Sequence, residues 1–317
     1  MRCALIVGHT GQDGRFLWDQ LVQSGVSVIG ISRRGSSVHN VKWDKNTDIS
    51  DLASVTRLMR YLKPESIFFL AAHHHSSQEN VENEGDIVTT SLTVHVNAFN
   101  HFLLCARLFC PQSRIFYASS SRVFGESAIS PQNENTELKP NCIYGITKMM
   151  GMLLADYYRR VYRMYVSCGI LYNHESPLRG EKFLSRRAID GLVAIKYGHA
   201  TSLEVGDLDA RVDWGYAPDY TRAMQLVLEA DSPGDFVIAT GKTHSVRELI
   251  MIAASHLGIQ WEKYVTEQSS ILHRNAQELC GDSSRLREVT GWTPSMDFST
   301  MIKLLVNASE KKFQGNR

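Results

Sequence analysis

Short apolar runs of strand character alternate with stretches of helical periodicity through the first half of the chain. This alternation is the signature of a parallel α/β sheet. The apolar runs predict strands at Ala4–Val7, Val26–Ser32, Ser66–Ala71, Ser113–Ser119 and Tyr165–Leu171. Between them, the pattern predicts helices at Arg15–Ser24, Ser54–Leu62, Ile87–Phe109 and Ile143–Val161. In the last of these Tyr144, Lys148 and Leu153-Leu154 recur at helical spacing. After Tyr172 the texture changes. Asn173–Gly215 is richer in charge and glycine, Asp219–Glu229 reads as a helix, and Asp235–Thr240 reads as one more strand of the main sheet. The tail runs from Ser245–Gly258 to two short helical patterns around Ser283–Thr290 and Thr300–Ser309. The expected organisation is a large unit over 1–172, rejoined by 216–242, with a smaller part from 173–215 and 243–317 capping its crevice.

Composition narrows the picture only a little. Of 317 residues, 43% are hydrophobic and 21% charged, with a net charge of +1. These are ordinary values for a globular protein. The balance leaves no global electrostatic footprint for nucleic acid or an anionic membrane. Cys3, Cys105, Cys110, Cys142, Cys168 and Cys280 include no C-x-x-C pair and no zinc-like spacing, which fits a reducing compartment. No apolar run approaches the roughly 20 residues that span a bilayer. The first strand starts at Cys3, leaving no room for a signal peptide, so a cytoplasmic protein is expected.

The first strand runs into Gly8-His9-Thr10-Gly11-Gln12-Asp13-Gly14 and then a helical pattern. Glycines in a strand–turn–helix context permit a tight turn and close approach of backbone to a pyrophosphate. The pyrophosphate then rests on the amides and positive dipole of the helix N-terminus. The sequence therefore predicts a Rossmann-type, doubly wound parallel sheet with a smaller C-terminal substrate-binding part. The spacing G-x-x-G-x-x-G is typical of extended short-chain dehydrogenases. At the end of the second strand an acidic residue selects NAD, whereas an Arg accommodates the 2′-phosphate of NADP. Here Arg33-Arg34 follow Ile31-Ser32 with no carboxylate, so NADP is expected over NAD. A solvated basic turn is the alternative. Farther along, Asp48-Ile49 occupy the position where such folds hold the adenine.

Tyr144 and Lys148, four residues apart, share one helical face. An ammonium beside a phenol favours the phenolate, lowering its pKa so that Tyr can exchange a proton. A lone Y-x-x-x-K means little. Here it follows a strand ending in Ser119-Ser120-Ser121, where Ser120 is the expected hydrogen-bond partner of a substrate oxygen. Together these residues point to hydride transfer at a carbinol carbon.

Six stretches resemble GDP-mannose 4,6-dehydratases in order and spacing: Thr10–Gly14, Arg33-Arg34, Leu70-Ala71-Ala72, Gly169–Gly180, Gly206–Tyr220 and Ile238–Glu248. They run over nearly the whole chain, and the NHESPxRG pattern within Gly169–Gly180 is specific to this group. The resemblance implies a manno-configured GDP-sugar, oxidation of its C4 by NADP, and a homodimer or homotetramer. It implies cofactor contacts at Leu70, Ala71, Ala72 and Arg179. It also implies substrate contacts at Asn173, at Arg187 in place of the usual Lys and at Arg274, with Arg211 as the neighbouring candidate for the family's Arg that is missing at Val212.

There are departures. Where the family reads S-T-S-E-L-Y-G, with Thr and Glu both catalytic, this chain reads Ser119-Ser120-Ser121-Arg122-Val123-Phe124-Gly125. Ser120 keeps the hydroxyl. Arg122 cannot replace the Glu, because a guanidinium has no acceptor and does not deprotonate. Val212 stands where the family's R-D-W-G carries Arg, and the stretch Arg274–Glu278 is shorter than the family's substrate loop. His73-His74-His75 follow the strand Ser66–Ala71 at the expected meeting point of nicotinamide and sugar. Three adjacent His do not converge on one metal, so they read as polar lining, with His74 facing the substrate, or as a source of the missing acid–base group. Three functional readings follow. The first is C4 redox chemistry or epimerisation of a GDP-hexose or GDP-heptose without loss of water. The second is a 4,6-dehydratase with a relocated base. The third is a non-catalytic cofactor binder, which the intact Ser120, Tyr144 and Lys148 oppose.

Overall fold

The computed structural model of the protein describes residues 3–43, 45–73, 84–268 and 279–315. The chain opens with β1 (Cys3–Val7), α1 (Gln12–Gln23) and β2 (Ser27–Ser32), then doubles back as β3 (Gly35–His39). It continues through α2 (Leu52–Leu62), β4 (Ser66–Phe69), α3 (Glu84–Leu92) and α4 (Ala98–Phe109). β5 (Arg114–Ser120), α5 (Ile143–Tyr162) and β6 (Val166–Leu171) complete the first half. The rest comprises β7 (Asn173–Glu175), α6 (Leu184–Lys196), β8 (Leu203–Val205), β9 (Arg211–Tyr216), α7 (Ala217–Glu229) and β10 (Asp235–Ile238). It ends with β11 (Thr243–Ser245), α8 (Val246–Leu257), β12 (Val265–Glu267), α9 (Ser284–Thr290) and α10 (Phe298–Gly315).

Seven strands form the main sheet in the order β10-β6-β5-β4-β1-β2-β3. All neighbours are parallel except β2 and β3. The strand order reverses between β1 and β4, and at such a switch point an α/β sheet leaves a crevice at its carboxyl edge. Three segments end at that edge: the glycine loop after β1, Leu70–His73 after β4, and Ser120 at the end of β5.

Apolar side chains explain the layering. Val55, Leu58, Phe99, Phe102 and Ala155 of α2, α4 and α5 bury one face of the sheet. Leu17, Leu21, Tyr220, Met224 and Val227 of α1 and α7, with Leu286 and Trp292 near the C-terminus, bury the other. A separate cluster, including Ile189, Leu192, Leu249, Ile250, Ile302 and Val306, joins α6, α8 and α10. Ser245 and Glu248 start α8 in capping-box order, the Ser245 hydroxyl accepting from Glu248 N at 3.0 Å.

The structure differs from the sequence pattern in three ways. The sheet is not wholly parallel, because the polar strand β3 pairs antiparallel on its edge. The helix predicted over Ile87–Phe109 is α3 and α4 joined by a π-turn at Thr93–Asn97, where Ala98 N–H reaches Thr93 O. The segment Asn173–Gly215 contains α6 and three short strands. Among the described residues no helix is long and apolar enough to cross a membrane.

Candidate active site

The glycine loop is anchored by Gly8 N–H donating to Ile31 O of β2 at 2.8 Å and Gly11 N–H donating to Gly8 O at 3.1 Å. Gly11 is the N-cap of α1 and brings no side chain to the first-turn amides. Those donors therefore face the crevice, as an anion site requires. Gly14 lets the helix close on the loop, since a Cβ there would lie 2.5 Å from Gly8 O. Arg33 and Arg34 form the exposed turn of the β2–β3 hairpin, and Arg34 N donates to Ser32 Oγ at 3.1 Å. His9 ties the loop to the same hairpin, its Nε2 lying 3.0 Å from Ser37 Oγ. Asp48 turns its carboxylate onto Ser50 N and Oγ at 2.9 and 2.7 Å. The half-buried Ile49 packs against the core, and its carbonyl meets His101 Nδ1 at 3.1 Å.

Ser120 closes β5, and a short 3-10 turn, Ser121–Val123, carries the chain away. Gly145 allows this turn to press on α5, because a Cβ there would sit 2.4 Å from Arg122 O. Tyr144 thereby meets the strand end and hydrogen-bonds Ser120. One turn along, Lys148 is 1% exposed, and its Nζ donates to Ala118 O at 2.7 Å while standing 5.7 Å from the Tyr144 ring centre. The charge logic is not the simple one expected from the sequence. Burial pushes the Tyr144 phenol up to about 12, against the lowering influence of Arg179 and the Ser120 hydrogen bond. Burial also pulls the Lys148 ammonium down to about 7. A dry site penalises both charged forms, so Arg179 is the cation that favours the phenolate here.

A second set of contacts clamps the glycine loop to the segment after β6. His174 Nε2 lies 3.0 Å from both Asp13 carboxylate oxygens. Burial alone would raise the Asp13 carboxyl, but the charge and hydrogen bonding of His174 outweigh it and hold the pKa low. Burial opposes protonation of His174 in turn, and Asp13 outweighs that, raising its pKa. Gln12 Nε2 donates to His174 O at 3.0 Å, and Ser176 Oγ donates to Gln12 Oε1 at 2.7 Å. The side chains of Gln12 and Asp13 therefore hold β7 and the segment after it against the glycine loop. The buried Glu175 accepts from Ser185 Oγ at 2.6 Å and pairs with Arg179 at 3.2 Å.

The other predicted residues fall as follows. Arg122 is half-buried beside Ser120, its backbone N donating to Ser120 Oγ at 3.3 Å. Leu70 N–H donates to Val7 O at 2.9 Å, and Ala71 and Ala72 continue along the crevice edge. Asn173 is exposed at the start of β7, and Arg187 is half-buried in the first turn of α6. Arg211 is committed across β9 and β11, donating to Thr243 Oγ1 and O at 3.1 and 2.8 Å. His74, His75 and Arg274 lie outside the described residues. Sequence reasoning passed over His174, Glu175 and His95. The first two lie within the N-H-E-S-P motif and were legible as a motif without a role.

A strand-end hydroxyl set against a helical Tyr–Lys pair, beside a dinucleotide loop, is the build of an extended short-chain dehydrogenase/reductase. Solved structures share the fold. One is RMD from Pseudomonas aeruginosa complexed with NADPH, at TM-score 0.82 and 19% identity over 98% of this chain and 100% of that one. Another is dTDP-glucose 4,6-dehydratase from Bacillus anthracis in complex with NAD, at TM-score 0.83 and 16% identity over 99% and 98%. The profile of the GDP-mannose 4,6 dehydratase family matches residues 5–305. GDP-mannose 4,6 dehydratase 2 of Arabidopsis thaliana is 34% identical over 96% of this chain and 86% of its own length. The GDP-mannose 4,6-dehydratase of Yersinia enterocolitica is 32% identical over 96% and 93%. The chain belongs to the GDP-mannose 4,6-dehydratase family and is an NAD(P)-dependent, nucleotide-sugar-modifying enzyme.

Proposed function

We propose that this enzyme exchanges a hydride with C4 of a GDP-hexose or GDP-heptose, using NADP(H) and eliminating no water, as a dehydrogenase, ketoreductase or epimerase. The observation that carries this reading is the pairing of an intact Ser120–Tyr144–Lys148 centre with Arg122 where the family's acid–base Glu belongs. The carboxylate whose charge reaches the phenol is Asp13, and His174 already holds both of its oxygens.

The site suits the cofactor, which when bound supplies or accepts the hydride. First-turn amides of α1 would hold its pyrophosphate, and Arg33 and Arg34, whose side chains have no partner among the described residues, would hold the 2′-phosphate. Ser120 Oγ hydrogen-bonds the C4 oxygen, and Tyr144 Oη takes its proton on oxidation or returns it on reduction. Arg179 steadies the phenolate, and Asn173 and Arg187 bind the substrate diphosphate. Arg33→Ala and Arg34→Ala weaken NADP(H) binding about tenfold or more each and leave NAD(H) binding within about twofold. Titration of both cofactors checks this, and equal losses for the two would contradict the assignment.

The working unit is a homodimer or homotetramer. Leu153, Tyr157 and Val161 form an exposed stripe on α5, at 58%, 44% and 51% exposure, and Leu108 of α4 is 57% exposed. Apolar stripes of this kind mark association faces. Leu153→Glu with Val161→Glu converts the oligomer to monomers in light scattering, and an unchanged mass would place the interface elsewhere. The reaction itself is tested by incubating the protein with GDP-mannose and related GDP-sugars and weighing the products. A change of two hydrogens, or a new isomer of equal mass, supports the reading, and loss of water opposes it.

A further inference from the structure

Single π-turns inside helices recur at functional sites, and the one at Thr93–Asn97 turns His95 inward. This histidine is fully buried, at 0% exposure. Its Nε2 lies 2.8 Å from the backbone N of His73, on the loop leaving β4. Its Nδ1 lies 2.8 Å from Thr147 Oγ1, one residue before Lys148 on α5. A backbone N–H only donates, so Nε2 is the accepting, unprotonated nitrogen. The proton therefore sits on Nδ1 and is donated to Thr147, whose hydroxyl donates onward to Ile143 O at 2.9 Å. The ring stands edge-on to Tyr144, with centres 5.4 Å apart and planes at 88°. Tyr117 Oη donates to the His95 carbonyl at 3.1 Å, fixing the π-turn against β5.

We infer that His95 is a positioning residue, a brace of fixed tautomer that sets the loop after β4 and the Tyr144–Lys148 helix at one separation. The two walls of the crevice come from different segments, and His95 bridges them from His73 to Thr147 of α5. A misplacement of about 1 Å between a proton donor and its substrate costs on the order of a hundredfold in rate. The brace therefore matters for turnover more than for folding. Its effect on turnover rests on the redox reading above; its tautomer does not.

The test has two arms on the full-length protein. In the first, ¹⁵N spectra of histidine-labelled protein at neutral pH, assigned by loss of one signal set in His95→Phe, are expected to report His95 as the Nδ1–H tautomer. An Nε2–H or doubly protonated ring overturns the brace. The second arm is kinetic. His95→Phe keeps the ring shape and removes both bonds, and is expected to lower kcat roughly ten- to a hundredfold. His95→Gln restores an acceptor near Nε2 and is expected to keep KM while kcat falls. His95→Asn restores a donor near Nδ1 and is expected to keep kcat while KM rises. Activity lost in all three only in proportion to unfolded protein, measured by thermal melting, reduces His95 to a core residue and overturns the inference. So does wild-type kcat and KM in His95→Phe. Tyr144→Phe, measured alongside, separates the two claims. Full activity there sinks the redox reading, while the tautomer still decides the role of His95.

Discussion

Tyr144→Phe abolishes turnover, by roughly 10²–10⁴-fold or more, while cofactor affinity changes by less than about twofold. The substitution deletes one oxygen and little packing, since the ring still stacks edge-on to His95 and lies above Lys148. In the proposed mechanism the missing oxygen is the proton acceptor in oxidation and the donor in reduction. The pKa sets the sign of the pH dependence. With the phenol pushed up to about 12 by burial, the phenolate is a small fraction at neutral pH and grows as pH rises. Oxidation of C4 therefore accelerates across pH 6–9, whereas reduction, which needs the protonated phenol, shows no loss from this group over the same range. Steady-state rates in both directions check the slopes, and calorimetric titration of the variant checks the cofactor. Wild-type turnover in Tyr144→Phe would remove the proposed mechanism.

The unmutated protein is expected to release no water from GDP-mannose, at least about 10²-fold less than any redox product. Dehydration needs a base for the C5 proton once C4 is a ketone, and an acid for the departing C6 oxygen. Hydride exchange at C4 needs neither. Arg122 sits against Ser120 through its backbone, and its guanidinium steadies an anion without taking a proton. Asp13 is held by His174, and Glu175 by Ser185 and Arg179. Arg122→Glu places a carboxylate at the strand end and brings a trace of water release, visible by mass. If the wild type eliminates water readily, the acid–base group lies elsewhere, and His74 or His75 is the first place to substitute.

Much of this architecture was legible because its strongest signals are local. Buried parallel strands such as Val166–Leu171 read as unbroken apolar runs, and Tyr144 and Lys148 fall at helical spacing whatever the tertiary fold. Other features were hidden for physical reasons. β3 is short, polar and partly exposed, so no hydrophobic alternation marks it. The π-turn at Thr93–Asn97 adds a residue to one helical turn without altering composition, and with it the inward turn of His95 is lost to any 3.6-residue count. Strands of three residues, as in β7, β8 and β11, are defined by their partners. The Asp13–His174 clamp joins residues 161 positions apart, and spacing cannot reveal such a pair. The pKa order of Tyr144 and Lys148 was likewise invisible, because desolvation depends on what surrounds a helix face.

The central claim is that C4 chemistry occurs without elimination, and the fate of the C4 hydrogen tests it most directly. GDP-mannose deuterated at C4, or another GDP-hexose that turns over, is incubated with the wild-type protein and NADP, and the deuterium is located by NMR and mass spectrometry. Net oxidation leaves the deuterium on the cofactor and a product that has lost two hydrogens. Epimerisation returns it to C4 in an isomer of unchanged mass. Either result is the one predicted. Deuterium delivered to C6 of a product lighter by one water contradicts the account, because that transfer requires the elimination that Arg122 is held to prevent.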